Sequence, residues 1–177
     1  TPASYFHLLR RQAYARPRKP LVVFTPKAML RLRGATSSTT DFTTGKFQPV
    51  LDDPAVASGS GIKKVLLVAG KIYYDLKSEI EKRGITGIAL VRLEQYYPFP
   101  AADLQAIAAK YSGAQFVWVQ DEPENQGAWP FMVMEAQAAG LPALSVVSRP
   151  RSASPATGSS KRSQVEAQLI LDRALSS

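Results

Sequence analysis

Five short apolar runs, rich in β-branched residues and separated by segments with helical spacing, constrain this sequence more than any other feature. Such runs are typical of strands that are buried on both faces, because a central strand meets helices above and below the sheet. They are residues 21–25, 65–69, 88–93, 116–120 and 144–147. Strands that alternate with helices predict an α/β fold, with a doubly wound, mostly parallel five-stranded sheet.

The spacing of apolar residues also predicts the helices. Residues 3–15 have the pattern of an amphipathic helix, and Pro26 opens a helical turn that runs through Leu30. Further helices follow the second, third and fourth apolar runs. Ser163 and Glu166 have the spacing of a capping box, which predicts the start of a C-terminal helix.

Two segments lack any such period. Residues 34–61 are rich in Gly, Ser and Thr with few apolar anchors, so we expect a long, partly mobile surface excursion. Residues 149–162 form a second loop, rich in Ser and Pro and carrying positive charge. With 177 residues, the chain is long enough for one α/β domain over residues 1–177.

The residue types exclude several kinds of active site. The chain has no cysteine and a single histidine, His7, so neither a Cys–His pair nor a histidine metal cluster can be built. No G-x-S-x-G elbow follows any predicted strand, and no apolar run is long enough to span a bilayer. The residues themselves therefore predict no catalytic centre and no metal site. His7 is expected to be structural, or to donate a hydrogen bond across a subunit contact.

The net charge of +8 favours an anionic partner. Nucleic acid, a phosphorylated small molecule and an acidic protein surface all qualify, and so does the plain alternative of a domain that belongs to a larger chain. The basic residues are not interleaved with aromatic ones and no RNA-binding signature is present, which disfavours nucleic acid.

Lys27 and Arg31 are the candidate residues for binding an anion. Lys27 lies in the first turn of the helix predicted after the first strand, and Arg31 lies one turn further on, where free amides, the helix dipole and two cations would suit a phosphate. The alternative is that they form a solvated face. Gly70 lies at a similar junction, but its single glycine matches no phosphate-loop pattern, which favours a packing turn.

A crowded polar turn at residues 121–129 follows the fourth predicted strand, at the end of the sheet where open α/β folds place functional loops. Its candidate residues are Asp121, Glu122, Asn125, Gln126 and Trp129. They could form an interface, or they could be a capping network that orders the junction, with Trp129 as its anchor.

Taken together, six segments in order resemble one family. They are residues 5–12 (YFHLLRRQ), 20–27 (PLVVFTPK), 70–75 (GKIYYD), 91–100 (VRLEQYYPFP), 122–129 (EPENQGAW) and 152–158 (SASPATG). Their order and spacing resemble the C-terminal domain of 2-oxoglutarate dehydrogenase, and residues 41–54 resemble its actinobacterial branch. The sequence departs from the family at Asp121, where Glu is common, and at Ser163, where His is common.

The resemblance implies a larger enzyme that uses thiamine diphosphate and Mg²⁺ to decarboxylate 2-oxoglutarate and passes the succinyl group to a lipoyl arm. It implies that the thiamine-binding domains lie upstream, and that this domain supports a homodimer and borders the active-site entrance. The implied partners are a dihydrolipoyl succinyltransferase component and an allosteric acetyl-CoA or nucleotide effector at Lys27 and Arg31. The implied compartment is the cytoplasm of a bacterium, or the mitochondrial matrix of a eukaryote. The alternatives are the C-terminal domain of 2-oxoadipate dehydrogenase or transketolase, and a stand-alone anion-binding regulatory module.

Overall fold

A computed structural model describes residues 1–176. By their internal contacts, the residues group into two compact units, Thr1–Gln48 and Pro49–Ser177. The assignment of residues 1–177 to a single domain stays a prediction. Within residues 1–176, no helix combines the length and the apolar character needed to cross a bilayer.

The first unit is built from three short elements. They are helix α1 (Pro2–Tyr14), a 3-10 helix (Lys27–Arg31) and helix α2 (Thr39–Thr43). The predicted first helix is confirmed, and the Thr1 hydroxyl caps it by accepting a hydrogen bond from the Ser4 amide. A reciprocal capping box between Ser38 and Asp41 starts α2.

The strand predicted at residues 21–25 is wrong. This segment belongs to no helix or strand, and its backbone makes no hydrogen bond within residues 1–176. β-branched side chains fit the pleated, half-buried surface of a sheet. A strand also needs a neighbouring strand to pair with, and these side chains do not determine whether one is present. The sheet takes its fifth strand from Val50–Leu51 instead.

The second unit contains the sheet and its covering helices. Its elements are β1 (Val50–Leu51), β2 (Lys64–Val68), α3 (Ile72–Arg83), β3 (Ile88–Leu93), α4 (Ala101–Lys110), β4 (Gln115–Pro123), α5 (Trp129–Ala138), β5 (Leu144–Arg149) and α6 (Ser160–Leu175). The strand order is β1-β3-β2-β4-β5, with β1 antiparallel to β3 and all other pairs parallel. The predicted doubly wound, mostly parallel five-stranded sheet with a C-terminal helix is confirmed.

Helices cover both faces of this sheet. On one face, Leu66 and Val68 pack with α3 and α6, whereas Val65 and Leu67 of the same strand pack with α4 and α5 on the other. All four side chains are at most 1% exposed. Because successive side chains of a strand point to opposite faces, a continuous apolar run is what a central strand between two helical layers requires.

A polar junction connects the chain that leads from β1 to β2 with the end of α4. The Asp52 carboxylate accepts hydrogen bonds from the Tyr111 hydroxyl (2.7 Å) and the Lys110 ammonium (2.6 Å), and Lys110 also donates to the Val56 carbonyl (2.7 Å). Asp53 accepts a bond from the Leu90 amide of β3 at 2.8 Å. Residues 34–61 therefore include α2, β1 and this junction, and the long, partly mobile surface excursion stays a prediction.

The capping box predicted for the last helix is also wrong. Helix α6 begins at Ser160, and its N-cap is Ser159, whose hydroxyl accepts a bond from the Arg162 amide. Ser163 and Glu166 instead lie beyond the start of the helix, where both receive hydrogen bonds from Arg149. A tertiary partner thus competes for the side chains that the local motif would use.

Candidate functional site

The strand order reverses between β2 and β4. From β2 the chain crosses to β3 on one side, and from β3 it returns past β2 to β4 on the other. In open α/β sheets, the carboxyl ends of the strands at such a point are the usual position of a functional site. Here these ends lead into the Gly70–Lys71 turn and into the polar turn at residues 121–129.

Gln120, the last buried residue of β4 before the polar turn, organises that turn. Its Oε1 accepts hydrogen bonds from Trp118 Nε1 (2.9 Å) and from the Trp129 amide at the start of α5 (3.0 Å). Its Nε2 donates to the carbonyls of Pro123 (2.9 Å) and Gln126 (2.8 Å). With only 3% of its surface exposed, Gln120 replaces the water that these groups have lost.

The register of β4 against β5 shifts between Val119 and Pro123, so the network lies at a β-bulge. Bulges redirect side chains at the end of a strand, which explains how a glutamine in the strand can reach the turn beyond it. Gly127 completes the turn with φ of 65°, and a Cβ there would stand only 3.1 Å from Gln120 Nε2. A glycine is therefore required on both counts.

Two of the predicted site residues fasten the loop at residues 150–157 to the turn. Asn125 exchanges two hydrogen bonds with the backbone of Ser152, both 3.0 Å, and Gln126 Nε2 donates to the same carbonyl at 2.9 Å. Trp129 contributes its amide to Gln120 and packs its side chain against the core. These three residues form the capping network that the sequence left open as an alternative.

Arg149, which the sequence analysis did not single out, links the turn to α6. Its Nε donates to the Asp121 carbonyl at 2.7 Å, and its guanidinium forms an ion pair with Glu166 at 2.8 Å. Hydrogen bonds from Arg162 and Arg149 hold the pKa of Glu166 below its usual value. The positive charge of Arg149 is therefore paired with a carboxylate inside the fold.

The side chains of Asp121 and Glu122 differ from the others, because neither makes a hydrogen bond within residues 1–176. Burial raises the pKa of Asp121 above its usual value, although the Lys71 ammonium acts against this shift. Lys71 lies at the start of α3 and is paired with Asp75. A partly buried carboxylate without a hydrogen-bond donor is suited to accept one from another molecule or another part of the polypeptide.

The first unit contains a separate basic cavity that the sequence analysis missed. It measures about 310 Å³ and is lined by His7, Arg10, Arg11, Tyr14, Lys46 and Phe47. Arg11 stacks on the Phe47 ring at 3.9 Å, while Arg10 and Lys46 are exposed and form no ion pair within residues 1–176. The helical period brings residues 7, 10, 11 and 14, which span two turns, onto one side of α1, so helical spacing could have identified this cluster.

His7 forms the buried wall of this basic cavity. It is 4% exposed, and its Nε2 donates to the Asp41 carbonyl at 2.7 Å, so it ties α1 to α2. Its Nδ1 is buried and has no partner within residues 1–176. The predicted structural role is consistent with this bond.

Lys27 and Arg31 lie elsewhere in the first unit. Both side chains are exposed on the 3-10 helix, and neither contacts another charged group. The predicted strand before them does not form, and a five-residue 3-10 helix has only a small dipole. Two of the physical reasons for expecting a phosphate at this position are therefore missing.

Comparison with known proteins establishes the family of this chain. A family described as "2-oxoglutarate dehydrogenase C-terminal" matches residues 36–175. The chain belongs to this family. It is 46% identical over 98% of its length to the "2-oxoglutarate dehydrogenase E1/E2 component" of Corynebacterium glutamicum, of which it covers 15%.

Further relatives agree with this placement. The chain is 44% identical to the "Multifunctional 2-oxoglutarate metabolism enzyme" of Mycolicibacterium vanbaalenii and 43% identical to the "2-oxoglutarate dehydrogenase E1 component" of Cupriavidus necator. Each match covers 98% of this chain, but only 15% and 19% of those proteins. This member of the 2-oxoglutarate dehydrogenase C-terminal family thus spans less than one-fifth of the length of these relatives.

A solved structure titled "Split gene transketolase, inactive beta4 tetramer" aligns with 73% of this chain and 44% of its own, at 14% identity and a TM-score of 0.48. The doubly wound fold itself is established by the strand order and the two helical layers of the second unit.

Proposed function

We propose that this chain is the C-terminal part of a 2-oxoglutarate dehydrogenase that decarboxylates 2-oxoglutarate oxidatively and transfers the succinyl group to a lipoyl arm. The observation that carries the proposal is the 43–46% identity over 98% of the chain to proteins whose names contain "2-oxoglutarate dehydrogenase". The "E1/E2 component" name of one relative supports a succinyltransferase component as partner.

Thiamine diphosphate and Mg²⁺ are the cofactors that this activity implies. Residues 1–176 do not fit the Mg²⁺ ion, because no three His, Cys, Asp or Glu side chains among them are placed to hold a metal. We therefore assign the cofactors and the reaction steps to the remainder of the enzyme. This segment has an architectural role.

Within that role, we propose that Asp121 and Glu122 are the contact residues at a dimer interface beside the active-site entrance. The support is their lack of internal hydrogen bonds at the carboxyl end of β4, combined with a rigid base made by Gln120. Asn125, Gln126 and Trp129 serve that interface indirectly, because they hold the turn in shape.

An activity assay tests the main proposal. We expect the complete polypeptide to decarboxylate 2-oxoglutarate with added thiamine diphosphate and Mg²⁺, and residues 1–177 alone to show no turnover. Turnover by the 177-residue chain would contradict the architectural role. A complete polypeptide that prefers 2-oxoadipate over 2-oxoglutarate would contradict the substrate and favour the related dehydrogenase.

A second function is supported by the basic cavity of the first unit. We propose that an acetyl-CoA or nucleotide effector places a phosphate there, beside Arg10 and Lys46. Cations without ion pairs break no internal ion pair when they bind an anion, and hydrogen bonds between charged groups are the strong ones. This location takes the place of Lys27 and Arg31, which line no such cavity.

Matched double variants can decide between these locations. Arg10→Ala with Lys46→Ala should weaken acetyl-CoA binding to the complete enzyme by about 100-fold, because each lost charge-assisted bond costs about 1.5 kcal/mol. Lys27→Ala with Arg31→Ala removes the same charge and should change the Kd by less than about threefold, a screened long-range effect. Calorimetric titration measures both, and a larger loss in the second variant would return the effector to Lys27 and Arg31.

A further inference from the structure

The segment at residues 21–25 has the composition of a strand but none of the contacts of one. Leu21, Val22, Val23 and Phe24 are all apolar, and their exposed fractions are 39%, 74%, 38% and 93%. Exposure that alternates with a period of two is the pattern of side chains on opposite faces of a strand. One face is thus partly covered, and the other is open.

The backbone of this segment is as unusual as its side chains. None of the five residues makes a backbone hydrogen bond within residues 1–176. Unpaired amides and carbonyls beside apolar side chains are a template for pairing with another strand. Pro20 and Pro26 flank the segment and lack amide protons, which limits any pairing to the five residues between them.

We propose that residues 21–25 form a β-strand in the complete enzyme, paired with a sheet that is built from residues outside these 177. The proposal rests on the proposed function, because it needs the longer polypeptide. The relatives support such an occupant, since more than four-fifths of their length lies outside the region that this chain matches. The sheet of the second unit already has its five strands without this segment.

Hydrogen–deuterium exchange tests the pairing directly. In the 177-residue chain, the amides of residues 21–25 should exchange without protection. In the complete polypeptide they should be protected by about 100-fold or more, as expected of amides that open only through local unfolding. Residues 64–68 of β2 serve as an internal standard, because they should be protected in both. Equal exchange of residues 21–25 in the two proteins would overturn the proposal.

Three further outcomes separate this proposal from its alternatives. Protection that appears in the 177-residue chain as its concentration rises, together with a dimer mass, would identify a second copy as the partner and overturn the assignment.

An activity assay of the same complete polypeptide with 2-oxoglutarate separates the strand from the proposed function. Normal turnover with unprotected amides at residues 21–25 would refute only the strand. Protected amides without turnover would refute only the proposed activity.

Side-chain variants provide an independent measurement. Phe24→Asp and Leu30→Asp both place a carboxylate at an exposed apolar position of the first unit, at 93% and 76% exposure. In the 177-residue chain, neither should change the Tm by more than about 2 °C. In the complete polypeptide, Phe24→Asp alone should lower the Tm clearly, because a charge would enter a buried strand. An equal effect of both variants would overturn the strand assignment and indicate a broad apolar contact.

Discussion

Replacing Gln120 by leucine is expected to lower the free energy of unfolding of the second unit by about 3 kcal/mol, because several groups at the end of β4 would lose a hydrogen-bond partner. The groups are Trp118 Nε1, the Trp129 amide and two carbonyls of the turn. Leucine has a similar size and keeps the packing, so the loss would measure hydrogen bonding. Denaturant unfolding of the 177-residue chain can be followed by tryptophan fluorescence, since both tryptophans bond to Gln120.

Gln105→Leu is the matched control. Gln105 is exposed on α4 and donates one hydrogen bond, to the Ala139 carbonyl at 2.8 Å. Water can replace this bond, so the control should cost less than about 1 kcal/mol. If the two variants were equally stable, the network around Gln120 would not hold the turn, and the rigid base proposed for the interface would be lost with it.

The Gln120 network also shows where sequence reasoning stops. The four strands at residues 65–69, 88–93, 116–120 and 144–147 could be predicted because a central strand needs apolar side chains on both faces. The polar turn after β4 could be located for the same reason. The roles within it could not be predicted, because they depend on a bulge that lets one glutamine face inwards.

The wrong predictions share a physical cause. Residues 21–25 have the side chains of a strand, but pairing depends on a second strand that local sequence does not specify. Ser163 and Glu166 have the spacing of a capping box, but Arg149 reaches them from β5. In both cases the local preference is present in the sequence. The structure is decided by whether a distant partner is there, as for Ser163 and Glu166, or is missing, as for residues 21–25.

Partners that are distant in the sequence also decide the structure around Asp52, in a segment whose composition predicts partial mobility. Its partners, Lys110 and Tyr111, follow 58 and 59 residues later in the sequence, at the end of α4. Gly59 adds a second contact there, because a Cβ at this position would meet the Lys110 carbonyl at 1.8 Å. A Gly/Ser-rich composition is compatible with mobility and equally with close packing of backbone on backbone.

Asp52→Asn is the second substitution with a large expected effect, about 2 kcal/mol at neutral pH. The asparagine oxygen can still accept a bond from the Tyr111 hydroxyl. Towards the Lys110 ammonium, however, the side chain offers only an uncharged oxygen or an N–H group, and neither forms an ion pair. Burial acts to raise the pKa of Asp52, yet hydrogen bonds from Lys110 and Tyr111 together hold it below its usual value. Burial and the bond to Asp52 raise the pKa of Tyr111, so the tyrosine stays protonated as the donor.

The direction of the pKa shift fixes the pH dependence of this effect. A carboxyl whose folded pKa is lowered stabilises the fold above its unfolded pKa, about 3.9, and this contribution is lost as the pH falls through the folded pKa. Wild type and Asp52→Asn should therefore differ by a constant amount from pH 7 to about pH 5 and converge below pH 4. Asp103→Asn, an exposed change in the first turn of the same helix, should cost less than about 1 kcal/mol. A difference between wild type and Asp52→Asn that persisted unchanged at pH 2 would mean that the aspartate acts through packing, and that its charge does not hold the β1–β2 connection to α4.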